Sequence, residues 1–351
     1  MLFDIFPVSP LRISMMSHLP TVILLMRKKR TNYYSIERLF DNLVPPLSRQ
    51  FDVRVVHVPC FGVSPVEFIR NLIFTARLRA DVVHVTGDIQ YCALAVPRQR
   101  CVLTVLDLVS LNRLKGARKR VFSLLWYSLP LRWAQHVTSI SEESREQLER
   151  SFPSTVGRVS VIPCCADPTF EGNMVIAHAD ADKPRVLQVG TSANKNVHRV
   201  AVAASGLPLH LRIIGPLNDD LRTLLSNLDL EWSSAEQLST EELIKEYQNS
   251  DALVFASTYE GFGLPIVEAQ SIGLPVLTSK ILPMTDVAGE GALFVDPYSE
   301  FEIRSGLEQL LSSPDLCRRL VEQGRKNVKR FDVRMVADQY AKIYADVLNR
   351  N

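Results

Sequence analysis

"DALVFASTYEGFGLPIVEAQSIGLPVLTS", residues 251–279, reads as a complete strand–turn–helix–strand unit. Its two outer runs, 251–257 and 274–279, are short and apolar on both faces, as strands of a parallel sheet covered by helices should be. Pro265 falls in the first turn of a helix over 264–272, where a missing N–H costs nothing. A helix that starts at a strand's carboxyl end offers unpaired N–H groups and a positive dipole end. Gly261 and Gly263 let the backbone come close to a ligand. Together these features describe an anion site, most simply for a diphosphate. Glu260 and Glu268 flank it, and a carboxylate repels a diphosphate. They make sense if they face hydroxylated rings on either side of it, with Glu268 on a ribose and Glu260 on a sugar. The plainer alternative is a tight Gly-Phe-Gly turn followed by a surface glutamate, and this stretch alone does not choose between them.

The alternation extends in both directions. "TVILLM" (21–26), "DVRVVHV" (52–58), "DVVHVTG" (81–87), "CVLTVLD" (101–107), "HVTSIS" (136–141) and "VSVIP" (159–163) read as buried strands, with helical stretches such as 35–47 and 65–80 between them. Residues 164–184 lose the apolar period and carry Pro168 and Pro184, so they read as a linker. Strands resume at 185–190, 209–215, 251–257, 274–279 and 291–297. The expected helices are 196–204, 240–249, 264–272, 299–312 and 314–329. In the last stretch, Val333, Val336, Tyr340, Ile343, Tyr344 and Val347 share one helical face.

The fold class is therefore α/β, with two Rossmann-like doubly wound parallel-sheet domains facing a central cleft. The expected division is 1–163, a linker or hinge at 164–184, 185–330, and a C-terminal helix 331–351 that docks back on the first domain. Residues 1–20 hold three prolines and match no element. They read as a loose arm or a misplaced start, with Met15 or Met16 as alternatives.

A length of 351 residues suits two domains, and 46% apolar with 22% charged residues is ordinary for a globular chain. A net charge of +2 gives no global field for nucleic acid. The six cysteines have no metal-ligand spacing and read as reduced thiols of a cytoplasmic protein. The adjacent Cys164 and Cys165 are either a redox pair or small apolar linker residues. No apolar run is long enough to span a bilayer. "RKKR" (27–30) follows its apolar run, whereas in a signal peptide the charges come first.

"YEGFGLPIVEA" (259–269) resembles the E-x7-E signature of retaining glycosyltransferases of the GT-B class, family 4. "VGTSANKNVHRVAVAA" (189–204), "LIKEYQNSDALVFAS" (243–257) and "GLPVLTSKILPMTDVAGEGALFVDP" (273–297) are similar to further family segments. "SIERLF" (35–40), "VVHVTGD" (82–88), "TVLDLV" (104–109), "TSISEES" (138–144) and "VIPCCADPTF" (161–170) follow in the family's order, so the likeness covers roughly 21–350.

The resemblance implies a nucleotide-diphospho-sugar donor on the second domain and a glycan or lipid-linked acceptor on the first. It implies retention of configuration, no metal and no cofactor beyond the donor itself. Glu260 would contact the transferred sugar, Glu268 the ribose, and Lys195 the diphosphate. Gly261, Phe262, Gly263, Leu264, Gly190 and Asn194 would line the donor site. Gly215 and Ser279 are further candidates beside their plainer readings as turn residues. An arginine is common beside the family's lysine, where this chain has Asn194; Lys280 is one substitute charge.

Asp107 either orients sugar or acceptor, or simply ends its strand. Leu106 precedes it where relatives carry histidine, and Gln90 stands where another histidine is expected. Both departures bear on sugar preference or activity. Ser139 and Ser141 either touch ligand or cap a helix, with Ser139-x-x-Glu142 fitting a capping box.

The stretch 111–135 interleaves Arg113, Lys115, Arg118, Lys119 and Arg120 with Phe122, Trp126, Tyr127 and Trp133. It reads as a peripheral contact with an anionic membrane at its inner face, with "RKKR" adding charge, or as a solvated basic face over core aromatics. A non-catalytic nucleotide-sugar-binding subunit of a polysaccharide-assembly complex is the alternative function. A nucleotide-sugar epimerase and a dinucleotide oxidoreductase are weaker ones, the latter because no GxGxxG opens either half.

Overall fold

The computed structural model describes residues 18–29, 35–62, 64–108, 111, 115–173 and 183–350. Expectations about residues 1–17, Arg30, Arg113 and 174–182 of the linker fall outside them.

Two six-stranded sheets form the frame. The first has strands β1 (Thr21–Met26), β2 (Asp52–His57), β3 (Val82–Thr86), β4 (Cys101–Val105), β5 (His136–Ser139) and β6 (Val159–Val161), in spatial order β2-β1-β3-β4-β5-β6. The second has β7 (Arg185–Val189), β8 (His210–Ile214), β9 (Glu231–Ala235), β10 (Ala252–Phe255), β11 (Val276–Ser279) and β12 (Leu293–Val295), in order β12-β11-β10-β7-β8-β9. Every pairing in both sheets is parallel. Strands β3, β4, β10 and β11 are buried along their whole length, and β7 is buried except at its two ends, as strands covered on both faces should be. The strand order reverses between β1 and β3 in the first sheet and between β7 and β10 in the second. Ligand crevices of open α/β sheets lie at such reversals.

Sequence reading misses strand β9 and the helices Asp219–Asn227 and Met284–Ala288 of the second domain. "EWSSA" is a half-exposed edge strand with almost no apolar signal. The expected capping box at Ser139 is also corrected. The helix Glu142–Ser151 is capped by Ser141, whose Oγ accepts the Ser144 N–H at 3.1 Å, while Ser139 is a strand residue.

The last helix, Val333–Asn349, packs on the helix Ser35–Leu47 and buries Val336, Tyr340, Ile343, Tyr344 and Val347. Beneath it runs a buried polar chain. Tyr344 Oη lies 2.8 Å from His84 Nδ1, His84 Nε2 2.6 Å from Thr104 Oγ1, and Thr104 Oγ1 2.6 Å from Thr138 Oγ1. This chain ties β3, β4 and β5 to the terminal helix. Burial holds His84 neutral, its pKa pulled down to about 3. Cys164 and Cys165 are free, buried thiols, pushed up by burial, which fits small packing residues rather than a reactive pair.

Candidate active site

The two loops flanking the β7/β10 reversal are the two the sequence singles out. After β7, Gly190 (φ +87°) turns the chain into the short 3-10 turn Ala193–Lys195 and then the helix Val197–Ala204. After β10, residues 256–263 lead into the helix Leu264–Ile272, with Gly263 at φ +112°. The loops are clipped together: Thr258 N–H donates to Asn194 O, and Asn194 Nδ2 donates to Tyr259 O, both at 2.8 Å.

This clip brings Lys195 Nζ to 2.8 Å from Glu260 Oε1, with the side chains 18% and 12% exposed. The ammonium also sits 4.5 Å from the centroid of Phe255. The lysine stem lies across Gly190, where a Cβ would come within 2.9 Å of Lys195 Cε and displace the stem, and the φ of +87° itself favours glycine.

The helices Val197–Ala204 and Leu264–Ile272 share a further property. Neither has a side-chain cap, a feature they share with the short helices beginning at Gly116, Leu129 and Met284, whereas those beginning at Pro65, Glu142, Asp219, Thr240, Glu300, Pro314 and Val333 all have one. Asn196, in the N-cap position of the first, turns its amide to Ala256 O and Pro297 O instead, at 2.9 and 2.6 Å. The helix starts on the switch point thus leave the N–H groups of Val197, His198 and Leu264 without a side-chain cap, while Arg199 and Ile266 donate to Asn196 O and Gly263 O and Pro265 has no N–H.

Glu268 is partly buried on the second of these helices and accepts a 2.6 Å hydrogen bond from Tyr247 Oη. Burial pushes the Glu268 carboxyl above its ordinary range, against the pull of the Tyr247 bond and of Arg38, whose guanidinium is paired with Asp167. Tyr247, in the helix Thr240–Gln248, is the partner of Glu268 that sequence reading misses. It is buried on this helix together with Ile244, so its own stretch does not set it apart from an ordinary core tyrosine.

The carboxyl ends of the first sheet meet this turn. Ser141 Oγ donates to Gly261 O at 2.8 Å, and Ser144 Oγ donates to Leu106 O at 3.0 Å while lying 3.3 Å from Gly261 O. Tyr259 Oη donates to Gln147 Oε1 at 3.1 Å. Asp107 follows β4, and its charge helps burial push Tyr259 up to about 12. Leu106 is buried with Ile140 and Phe262 in the core. Gln90 is buried after β3, and its Oε1 has no hydrogen-bond partner among the described residues. Beside it, Asp88 (φ +45°) is held at 2.5 Å by the buried Arg27, which Glu37 grips at 2.8 Å.

Lys195, Glu260, Asn194, Gly190, Gly261, Gly263 and Leu264 thus converge on one turn, with Asp107 facing it and Glu268 one helix level below. Gly215 (φ +133°) borders the same loop, since a Cβ there would meet Thr191 Oγ1 at 3.0 Å. Two expected donor residues are placed otherwise. The Phe262 ring is buried edge-on against Phe331, leaving only its backbone for a ligand. Ser279 is fully buried and donates to Ser257 O at 2.6 Å, a strap between strand ends. Asn194 acts as the loop clip rather than as a substitute for a cation. Among the described residues no group of three or more His, Cys, Asp or Glu is placed to hold a metal ion.

Residues 30–165 match the model of a glycosyl transferase 4-like domain, and residues 172–327 that of the glycosyl transferases group 1. The MMP alpha-(1->4)-mannosyltransferase of Mycolicibacterium hassiacum is 29% identical over 60% of this chain and 54% of its own length. The O-antigen chain mannosyltransferase B of Escherichia coli is 26% identical over 56% of this chain and 57% of its own. The match therefore spans little more than half the length of these curated relatives. HepE of Anabaena, solved in complex with UDP and glucose, superposes with a TM-score of 0.74 over 93% of this chain and 100% of that one, at 16% identity, a likeness of fold. With two family models side by side along the chain, and two parallel sheets meeting at their carboxyl ends, the chain belongs to the group 1 (family 4) glycosyltransferases of the GT-B fold.

Proposed function

We propose that this chain transfers a sugar from a nucleotide-diphospho-sugar to a hydroxyl of a glycan or lipid-linked acceptor, with retention of configuration. The observation that carries this reading is the Lys195–Glu260 pair, set between two uncapped helix starts at the switch point of the second sheet. A cation and the few N–H groups at these helix starts suit a diphosphate, and a carboxylate suits the hydroxyls of the sugar beside it. Glu268, steadied by Tyr247, takes the ribose. HepE's complex with UDP and glucose supports a nucleotide sugar, and the mannosyltransferase relatives make activated mannose the first sugar to try.

In this reading Lys195 exchanges Glu260 for the donor phosphates and holds the charge that develops on the leaving diphosphate. No cofactor is then required beyond the donor. The acceptor hydroxyl enters on the face of the departing phosphate, which takes its proton, so no protein base is assigned. Asp107, on the opposing sheet, orients the sugar or acceptor hydroxyls. Closure of the two domains on the donor completes the site.

Leu106 favours a second reading, a nucleotide-sugar-binding subunit without turnover, because leucine can neither donate nor accept a hydrogen bond to the sugar.

Thermal stability against UDP-, GDP-, ADP- and dTDP-sugars decides first. A ligand at ~100 times its Kd adds about 2.7 kcal/mol to the folded state. A shift with one donor, lost in Lys195→Ala, supports the transferase reading and names the donor. A shift without transfer to any acceptor supports the subunit, and silence across the panel sinks both.

A further inference from the structure

The first turn of the helix Ser35–Leu47 holds two neighbouring charges that serve different places. Glu37 grips the buried Arg27, which in turn holds Asp88 beside the β1/β3 reversal. Arg38, about 100° further round the helix, pairs with Asp167. Arg38 belongs to the first domain, and Asp167 to the segment that leaves it for the second.

From Asp167 the contacts continue into the donor site. Its Oδ1 accepts the N–H and the hydroxyl of Thr169 at 2.9 and 2.7 Å, which pins the 3-10 turn Pro168–Phe170. Phe170 is fully buried and stands edge-on to Tyr247 of the second domain, with ring centroids 5.4 Å apart. Tyr247 Oη donates to Glu268 at 2.6 Å. An unbroken path thus runs from a first-domain helix to the carboxylate that would hold the ribose.

The path also carries charge. Burial raises the pKa of both Tyr247 and Glu268, and the Arg38 guanidinium opposes that rise at both. Ribose hydroxyls donate to an ionised carboxylate, so Arg38 favours the binding form of a residue one domain away. The Asp167 side chain is only 11% exposed, and drawing Arg38 off would leave that carboxylate uncompensated. The helix Val333–Asn349 packs on the same first-domain helix through an apolar and aromatic face. That bridge fastens the helix; the Arg38 path ends on Glu268.

We propose that Arg38 is a positioning residue that makes nucleotide binding at Glu268 and the setting of the helix Ser35–Leu47 depend on each other. The proposal rests on the nucleotide-sugar reading above. By linkage, a nucleotide that engages Glu268 draws Arg38 and Asp167 together, and holding that pair tightens the nucleotide. Through Glu37 and Arg27 the same helix turn settles Asp88 at the crevice of the first sheet, on the side proposed for the acceptor.

Amide hydrogen exchange of the whole chain, with and without each of UDP, GDP, ADP and dTDP, reads both ends of the path. In the parent, a nucleotide that binds should slow exchange in 264–272 and also in 35–47. Arg38→Met/Asp167→Asn removes both charges together, keeps an acceptor for Thr169 and strands no buried charge. It should still slow in 264–272, with nucleotide affinity lower by roughly fivefold or more, but lose the nucleotide-dependent slowing in 35–47. Asp167→Asn alone, which leaves only the more exposed Arg38 unpaired, should show the same loss. Arg38→Lys keeps the charge and should retain the slowing. A merely structural pair would raise exchange in 35–47 equally with and without nucleotide, leaving the difference intact, and that result overturns the proposal. So does slowing confined to 264–272 in the parent, or a loss in Arg38→Lys as complete as in the double variant. No slowing in either stretch with any of the nucleotides, in a folded parent chain, removes the nucleotide reading itself and this proposal with it.

Discussion

Lys195 and Glu260 form a 2.8 Å ion pair, part-buried and capped by the Phe255 ring, across the two loops of the sheet reversal. In the reading above the same lysine must release that carboxylate to take a diphosphate. The two ligands of Lys195 compete, and the competition can be measured. Glu260→Gln should bind free nucleoside diphosphate more tightly, by roughly fivefold, because charge-assisted bonds are the strong ones. Its transfer rate should fall by about 10²–10³, the scale for losing one group that acts on the transition state. Lys195→Ala should lose both. Calorimetry with the nucleoside diphosphate beside initial rates separates them, and unchanged nucleotide affinity in Glu260→Gln would contradict the exchange.

Glu268 makes a prediction with a sign. Its folded pKa is raised, by burial above all, so the folded state holds that proton more tightly than the unfolded chain. Its contribution to stability is then present below the unfolded value of about 4.3 and is lost as pH rises through the folded value. Glu268→Gln keeps the Tyr247 bond and removes the buried charge. At pH 7–8 it should be at least as stable as the parent, with the gap closing as pH falls, yet bind nucleotide at least tenfold more weakly. Melting curves across pH together with nucleotide titrations check both halves. Equal nucleotide affinity would remove Glu268 from the ribose.

The two glutamates, the lysine and the glycines were legible because a strand–turn–helix motif is local, and its chemistry sits within a few residues. What pins them was not. Tyr247, Gln147, Ser144 and the Arg38–Asp167 pair reach the site from distant elements, and nothing in their own stretches says so. The central strands were legible as continuous apolar runs, while β9 hid because an edge strand need not be apolar. Phe262 and Ser279 show the converse. Motif position suggested ligand contact, whereas packing and a strand-end hydrogen bond decide where their side chains go. The π turn at Ser123–Ser128 was invisible because a regular helical period does not predict one.

His84 carries an acid dependence. Burial lowers its pKa to about 3, so its contribution to stability is present above the unfolded value near 6.5 and is lost as pH falls through about 6.5 toward 3. Tyr344→Phe leaves His84 Nδ1 without its 2.8 Å partner, at a cost of roughly 1–3 kcal/mol. The melting point of Tyr344→Phe should drop by several degrees at pH 8, and both proteins should lose stability steadily below pH 6.5. A flat profile between pH 6.5 and 4 would show that His84 is not held neutral.

Two glycines of one turn should fail differently. Gly263 is at φ +112°, so Gly263→Ala strains the backbone by roughly 1–3 kcal/mol wherever the two sheets sit. Gly261 has no such conformation, but a Cβ there would lie 3.2 Å from Leu106 O and 3.5 Å from Asp107 Cβ, both in the loop after β4 of the first sheet. Gly261→Ala therefore presses on the join between the sheets rather than on the turn itself. Its melting point should stay within a few degrees of the parent, while kcat/KM falls by at least tenfold because the closed arrangement is disfavoured. Small-angle scattering with donor present should show Gly261→Ala remaining more extended than the parent. If Gly261→Ala instead unfolds like Gly263→Ala, the contact is structural, and the Ser141–Gly261 hydrogen bond plays no part in closure.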